Sequence, residues 1–83
     1  MIEILDFFAE WCHPCQVMKP VMHELEKELA GKAKISFIDV DKNSAAVTKY
    51  GVMSMPTYVV LKDGKEIERF AGVTPKKKFL DLA

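Results

Sequence analysis

The 83 residues predict an α/β fold, with a four-stranded mixed sheet and helices on both faces, in the order β-α-β-α-β-β-α across one domain, residues 1–83. Three observations carry that prediction. An apolar, β-compatible run, Ile2 to Phe8, leads into an amphipathic stretch with apolar residues at helical spacing. A second β-compatible run follows that helix, so the first two strands are joined by a helix and lie parallel. Asp63-Gly64 then separates two further runs as a hairpin turn, which makes the last two strands antiparallel.

Taken in order, Ile2 to Phe8 is broken only by Glu3 and Asp6 and reads as a central strand. Pro14 suits the first turn of the following helix, where its missing N–H removes a donor that would be free anyway. Val17, Met18, Val21, Met22, Leu25 and Leu29 recur on one helical face, with Met18 and Met22 filling the core. Pro20 falls inside this helix and is expected to kink it, and Gly31 is expected to end it. Lys34 to Val40 reads as the second strand. Asn43 or Ser44 caps a short helix that runs to about Tyr50 and stops at Gly51. Thr57 to Leu61 and Glu66 to Ala71 flank the hairpin turn, and Gly72 breaks the second of them. Thr74 as cap and Pro75 at the first position open a last helix that carries Phe79, Leu80 and Leu82 inward. A right-handed crossover then brings the end of the first strand, and with it Cys12, to the sheet edge where ligands bind in such folds.

Twelve basic and twelve acidic side chains cancel. This balance gives no reason to expect a nucleic-acid or anionic-membrane partner. Lys76-Lys77-Lys78, the basic run, reads as a solvated helix face. No apolar stretch approaches the roughly 20 residues of a membrane helix. The segment Met1-Ile2-Glu3 has no basic leader character, so the expected location is the cytoplasm. In that compartment two cysteines point to catalysis or metal binding rather than to structural staples. They stand at Cys12 and Cys15, in the run Trp11-Cys12-His13-Pro14-Cys15. Two thiols at this spacing can pair when the turn between them is tight. A strand feeding such a pair at a helix N-terminus is the arrangement that thiol–disulfide chemistry needs.

Asp6-Phe7, Ala9-Glu10-Trp11-Cys12, Pro14-Cys15, Pro20, Asp39-Val40-Asp41, Tyr50-Gly51-Val52, Met55-Pro56-Thr57, Asp63-Gly64 and Gly72 occur in an order that resembles the thioredoxin family across nearly the whole chain. The strand and helix that precede this core in typical members are missing from the resemblance, which is to a minimal thioredoxin. It implies the thioredoxin fold, exchange between a dithiol and a disulfide, and a groove for extended peptides. It also implies a cis Pro56 opposite the thiols, which leaves the Met55 backbone free to pair with substrate. Trp11 belongs on the rim and Gly72 joins the substrate-binding set. Phe8 stands where a second family tryptophan is common and reads as packing, while Met53 and Met55 offer a soft contact surface.

Free N–H groups and the helix dipole favour an anion at Cys12, which is expected to be the attacking nucleophile. Cys15, one turn further in and expected to be less accessible, is the resolving thiol. Asp6 falls where the family has a buried aspartate that moves a proton to or from the second thiol. Burial raises such a carboxyl toward the working pH. The lysine usual near that aspartate is replaced here by Phe37. His13 is the main departure from the family, and with Pro14 it is expected to tune the redox pair. His23 reads as a surface residue.

The reading that follows is a protein-disulfide reductase without a bound cofactor. It acts on disulfides of proteins or small thiol compounds, is recycled by a reductase or another thiol donor, and is monomeric. Because of His13, isomerase or oxidant is the alternative within the same chemistry. Two others lie outside it: a dimer that binds metal through Cys12 and Cys15, and a non-catalytic module that uses only the groove beside Pro56.

Overall fold

The apolar run near the N-terminal end forms β1 (Ile2–Phe8), the strand around which the others assemble. The computed structural model describes residues 1–82. After β1 come α1 (His13–Glu28), β2 (Ala33–Asp39), α2 (Ser44–Tyr50), β3 (Thr57–Lys62), β4 (Lys65–Ala71) and α3 (Lys76–Leu80). The sheet order is β2-β1-β3-β4, parallel between β1 and β2 and antiparallel elsewhere. Element order and sheet type agree with the sequence prediction.

Alternation along β1 explains why both faces of the sheet are covered. Ile4 packs with Tyr58 and Val60 of β3 against Met18, Met22 and Leu25 of α1 and Phe79 of α3. Leu5 and Phe7 point the other way, where Val59 and Leu61 join Val47 and Tyr50 of α2. One position on the first face is out of character: Asp6 follows Ile4 there by the two-residue repeat. Its register partners are Phe37 on β2 and Tyr58 on β3. A carboxyl group therefore lies in a row between two aromatic residues.

Several local expectations need correction. Helix α1 ends at Glu28, capped by Leu29, two residues before Gly31. Gly31 (φ 83°) stands inside the turn that follows, which is closed by the N–H groups of Lys32 and Ala33, both donating to the Leu29 carbonyl, and leads the chain toward β2. Val17 is 47% exposed and lies off the apolar stripe. Helix α3 begins one residue late, with Pro75 as its cap, because the Thr74 hydroxyl donates to the Gly72 carbonyl instead of capping. Leu80 is exposed, while Phe79 is fully buried. Asp63 (φ 52°) and Gly64 (φ 84°) form the hairpin turn, in the positive-φ pair that matches strand twist. Strand β4 is an edge, and its register with β3 shifts between Val60 and Leu61, an irregularity that discourages further strand pairing.

Candidate active site

The chain leaves β1 at Phe8, and the backbone N–H of Cys12 donates to the Ala9 carbonyl (3.2 Å). This turn places Cys12 at the N-cap of α1, with Pro14 in the first turn as expected. Cys12 and Cys15 are joined as a disulfide with a Cα–Cα distance of 5.3 Å, well within the range such a bridge spans. The Cys15 backbone N–H donates to the Cys12 sulfur at 3.3 Å. A helix start thus offers that sulfur both a specific donor and the positive end of a dipole.

The two cysteines do not differ in exposure, since each is 6% exposed. Position on the helix is what separates the two: Cys12 is the N-cap and Cys15 lies within the first turn. Ala9 lies beneath the pair, and Phe8, Val40 and Met55 pack against it. Trp11 is 68% exposed on the rim, and its indole N–H donates to Asp41 Oδ2 (2.9 Å). Asp41 is in turn held by its own N–H, which donates to Asp39 Oδ1. The role of Asp41 was not read from the sequence, because the contact spans thirty positions and depends on where β2 ends.

The Met55–Pro56 peptide bond is cis. Thr57 Oγ1 donates to the Ser54 carbonyl, and the Gly72 N–H donates to the Pro56 carbonyl (2.8 Å), which ties the Pro56 turn to the end of β4. Met55 is half-buried against the cysteines, whereas Met53 is almost fully exposed. His13 is exposed, and no hydrogen bond of its side chain occurs among the described residues.

Behind Cys15 a cavity of about 240 Å³ opens toward solvent. The buried residues Asp6 and Cys15 border it, together with the more exposed Glu10, Lys19, His23 and Phe37. Asp6 is 5% exposed, and burial pushes its carboxyl from an ordinary 3.8 up to about 7. Burial, and next the Asp6 charge, push the Tyr58 phenol up as well. Phe37 occupies the place beside Asp6 that the sequence suggested. His23 is a surface residue, as expected, and its ring stacks on Phe37, with centroids 5.0 Å apart. Sequence spacing held a partial signal for this wall, because Cys15, Lys19 and His23 recur every four residues and share a helix face. Among the described residues no group of three or more His, Cys, Asp or Glu side chains gathers as metal ligands. No described helix is long and apolar enough to cross a membrane.

The thioredoxin family model matches residues 2–83. The thioredoxin of Bacillus subtilis (strain 168) is 47% identical over 81 residues, which cover 98% of this chain and 78% of that protein. Thioredoxin from Staphylococcus aureus is 41% identical over the same shares. Among solved structures, a mutant thioredoxin from Halobacterium salinarum superposes with a TM-score of 0.90 at 37% identity, over 98% of this chain and 70% of that one. Fasciola hepatica thioredoxin gives 0.88 at 41% identity, over 98% and 76%.

Proposed function

The chain belongs to the thioredoxin family, and from that premise we propose how its residues divide the work and in which direction electrons flow. It is a thiol–disulfide oxidoreductase, a protein-disulfide reductase that works by dithiol exchange between Cys12 and Cys15. Membership in the family implies disulfide substrates and a reductase that restores the dithiol.

In the proposed cycle the Cys12 thiolate attacks a substrate disulfide. One substrate sulfur leaves with the bonding electron pair and takes a proton, and a mixed disulfide remains on Cys12. Cys15 then gives its proton to the Asp6 carboxylate. Its thiolate attacks the Cys12 sulfur, the bond from Cys12 to substrate breaks, and the second substrate sulfur leaves as a thiolate. Two electrons have passed from the protein dithiol to the substrate. The observation that carries this assignment is the Cys12 sulfur at the N-cap of α1, facing the Cys15 N–H. The cavity between Asp6 and Cys15 supports the proton transfer.

Substrate lies along Trp11, the Met55 backbone, Pro56 and Gly72, where the rim is apolar and exposed at Trp11, Met53 and Val73. The substrate is a protein or a small disulfide, and the protein works in the cytoplasm as a monomer. His13 and Pro14 tune the pair: an imidazole next to Cys12 favours the thiolate and makes the disulfide more oxidising.

Equilibration with defined thiol buffers tests the direction. Thioredoxin stands at roughly −270 mV and protein disulfide isomerase at roughly −180 mV. The reductase reading expects a value nearer the first, with His13→Gly lower still. A value near the second contradicts it and makes the chain an isomerase or oxidant.

A further inference from the structure

Among the described residues, two buried side-chain polar atoms have no hydrogen-bond partner: Asp6 Oδ1 and the Tyr58 hydroxyl. They belong to residues directly opposite each other in the β1–β3 ladder, so both side chains leave the same face of the sheet. Tyr58 is 0% exposed, and its ring is held edge-on against Phe79 (centroids 5.0 Å apart). A phenol is a costly way to fill such a place. Phenylalanine would supply the same ring without burying a hydroxyl, and an unpaired buried hydroxyl costs about 1–3 kcal/mol.

We propose that Tyr58 is a positioning residue for the exchange reaction: its hydroxyl donates to the Asp6 carboxylate whenever Asp6 is charged, after rotation of the carboxyl or across one bridging water. The inference rests on the proposed role of Asp6 as the group that takes the Cys15 proton. Tyr58 does not touch the reacting sulfurs and acts only through Asp6. A carboxylate with a donor is easier to form than one without, so the hydroxyl enlarges the share of molecules ready to accept that proton near neutral pH. When Asp6 holds the proton, the same hydroxyl can accept a hydrogen bond from it, so both states of the transfer have a partner.

The surroundings make Tyr58 the suitable donor. Around Asp6, α1 contributes Cys15, Lys19 and His23, the loop after β1 contributes Glu10, and β2 contributes the uncharged Phe37. Helix α3 contributes Phe79 against the Tyr58 ring, and its Lys76 is paired with Glu28 of α1. Lys19 and Glu10 are exposed, and His23 is half-exposed and stacked on Phe37. On the β3 side, the one titratable residue in the row is Tyr58. The two groups also feel each other, since the Asp6 charge is one of the causes that push the Tyr58 phenol up.

The test is stopped-flow oxidation of the dithiol protein by 5,5′-dithiobis(2-nitrobenzoate) between pH 5 and 9. The first aryl thiolate released reports attack by Cys12, and the second reports resolution by Cys15. Wild type, Tyr58→Phe, Asp6→Asn and the double variant are compared. Tyr58→Phe keeps the ring and its packing. The expected result is that its resolution midpoint moves up by about one pH unit, with about a fivefold to tenfold loss of rate below that midpoint and convergence with wild type at pH 9. The first phase is unchanged. In the Asp6→Asn background the same change has no further effect. An unmoved midpoint in Tyr58→Phe, where Asp6→Asn does abolish the pH dependence, overturns the Tyr58 proposal alone. An Asp6→Asn protein with the wild-type profile overturns the Asp6 reading beneath it. A slowing by Tyr58→Phe that persists without Asp6 shows that the hydroxyl acts elsewhere and also overturns the proposal.

Discussion

At Asp6 a carboxyl group is 5% exposed, in register between Phe37 and Tyr58, and it holds its proton up to about pH 7. The unfolded chain releases that proton near 3.8. The folded state therefore binds the proton more tightly. Its contribution to stability is fully present below about pH 4 and is lost as pH rises through about 7. A shift from 3.8 to about 7 corresponds to about 4 kcal/mol at alkaline pH. Asp6→Asn removes the charge but leaves a buried amide that takes part of this back. The expected net effect is a protein more stable than wild type by about 1–3 kcal/mol at pH 9, with no gain at pH 4. Urea titrations at the two pH values measure it, and equal denaturation midpoints for the two proteins at pH 9 would show that Asp6 is not destabilised by burial. The sequence made Asp6 legible as an acid in an apolar strand. It did not reveal the Tyr58 partnership, because a cross-strand neighbour depends on register, and register is set by the whole sheet.

Among the elements, β1 and the start of α1 were the most legible, since each carries its own local signal: an apolar run, a CxxC, a proline in the first turn. The hairpin was legible for the same reason, through Asp63-Gly64. The ends of α1 and α3 were less so. Helix α1 stops at Glu28, two residues short of the turn that Gly31 (φ 83°) makes under the hydrogen bonds to the Leu29 carbonyl. Helix α3 is five residues long, far too short to be stable by itself. It stays because Phe79 is fully buried, edge-on to both Tyr58 and Phe70. An ion pair from Lys76 to Glu28 also links it to α1, although this pair is partly exposed and adds little. Phe79→Ala is therefore expected to cost about 3–5 kcal/mol. Denaturant unfolding checks this, and a loss below about 1 kcal/mol would mean that α3 is held by something other than its ring. Because Phe79 also braces Tyr58, the same variant is expected to loosen the wall beside Asp6.

On the scale of the whole molecule, the fold brings together residues that lie far apart in the chain. Cys12 and Cys15 come from the β1–α1 junction, Pro56 from the entry to β3, Gly72 from the end of β4, and Asp41 from the loop after β2. This convergence follows from a central β1 with neighbours on both sides, and that much could be read from the order of elements. The wall opposite the substrate rim could not. The stack of His23 on Phe37 depends on how α1 lies across β2. Because the two cysteines are equally buried, we place the difference in their chemical roles at the helix start rather than in exposure.

That claim has a direct test. Cys15→Ser leaves Cys12 at the N-cap without a resolving thiol, so a substrate disulfide should become trapped on Cys12. Incubation with a disulfide-containing protein, quenching with acid and peptide mass spectrometry identify the linked cysteine. A stable mixed disulfide is expected at Cys12 in Cys15→Ser and little or none at Cys15 in Cys12→Ser. Trapping confined to Cys15 in the reciprocal variant would contradict it.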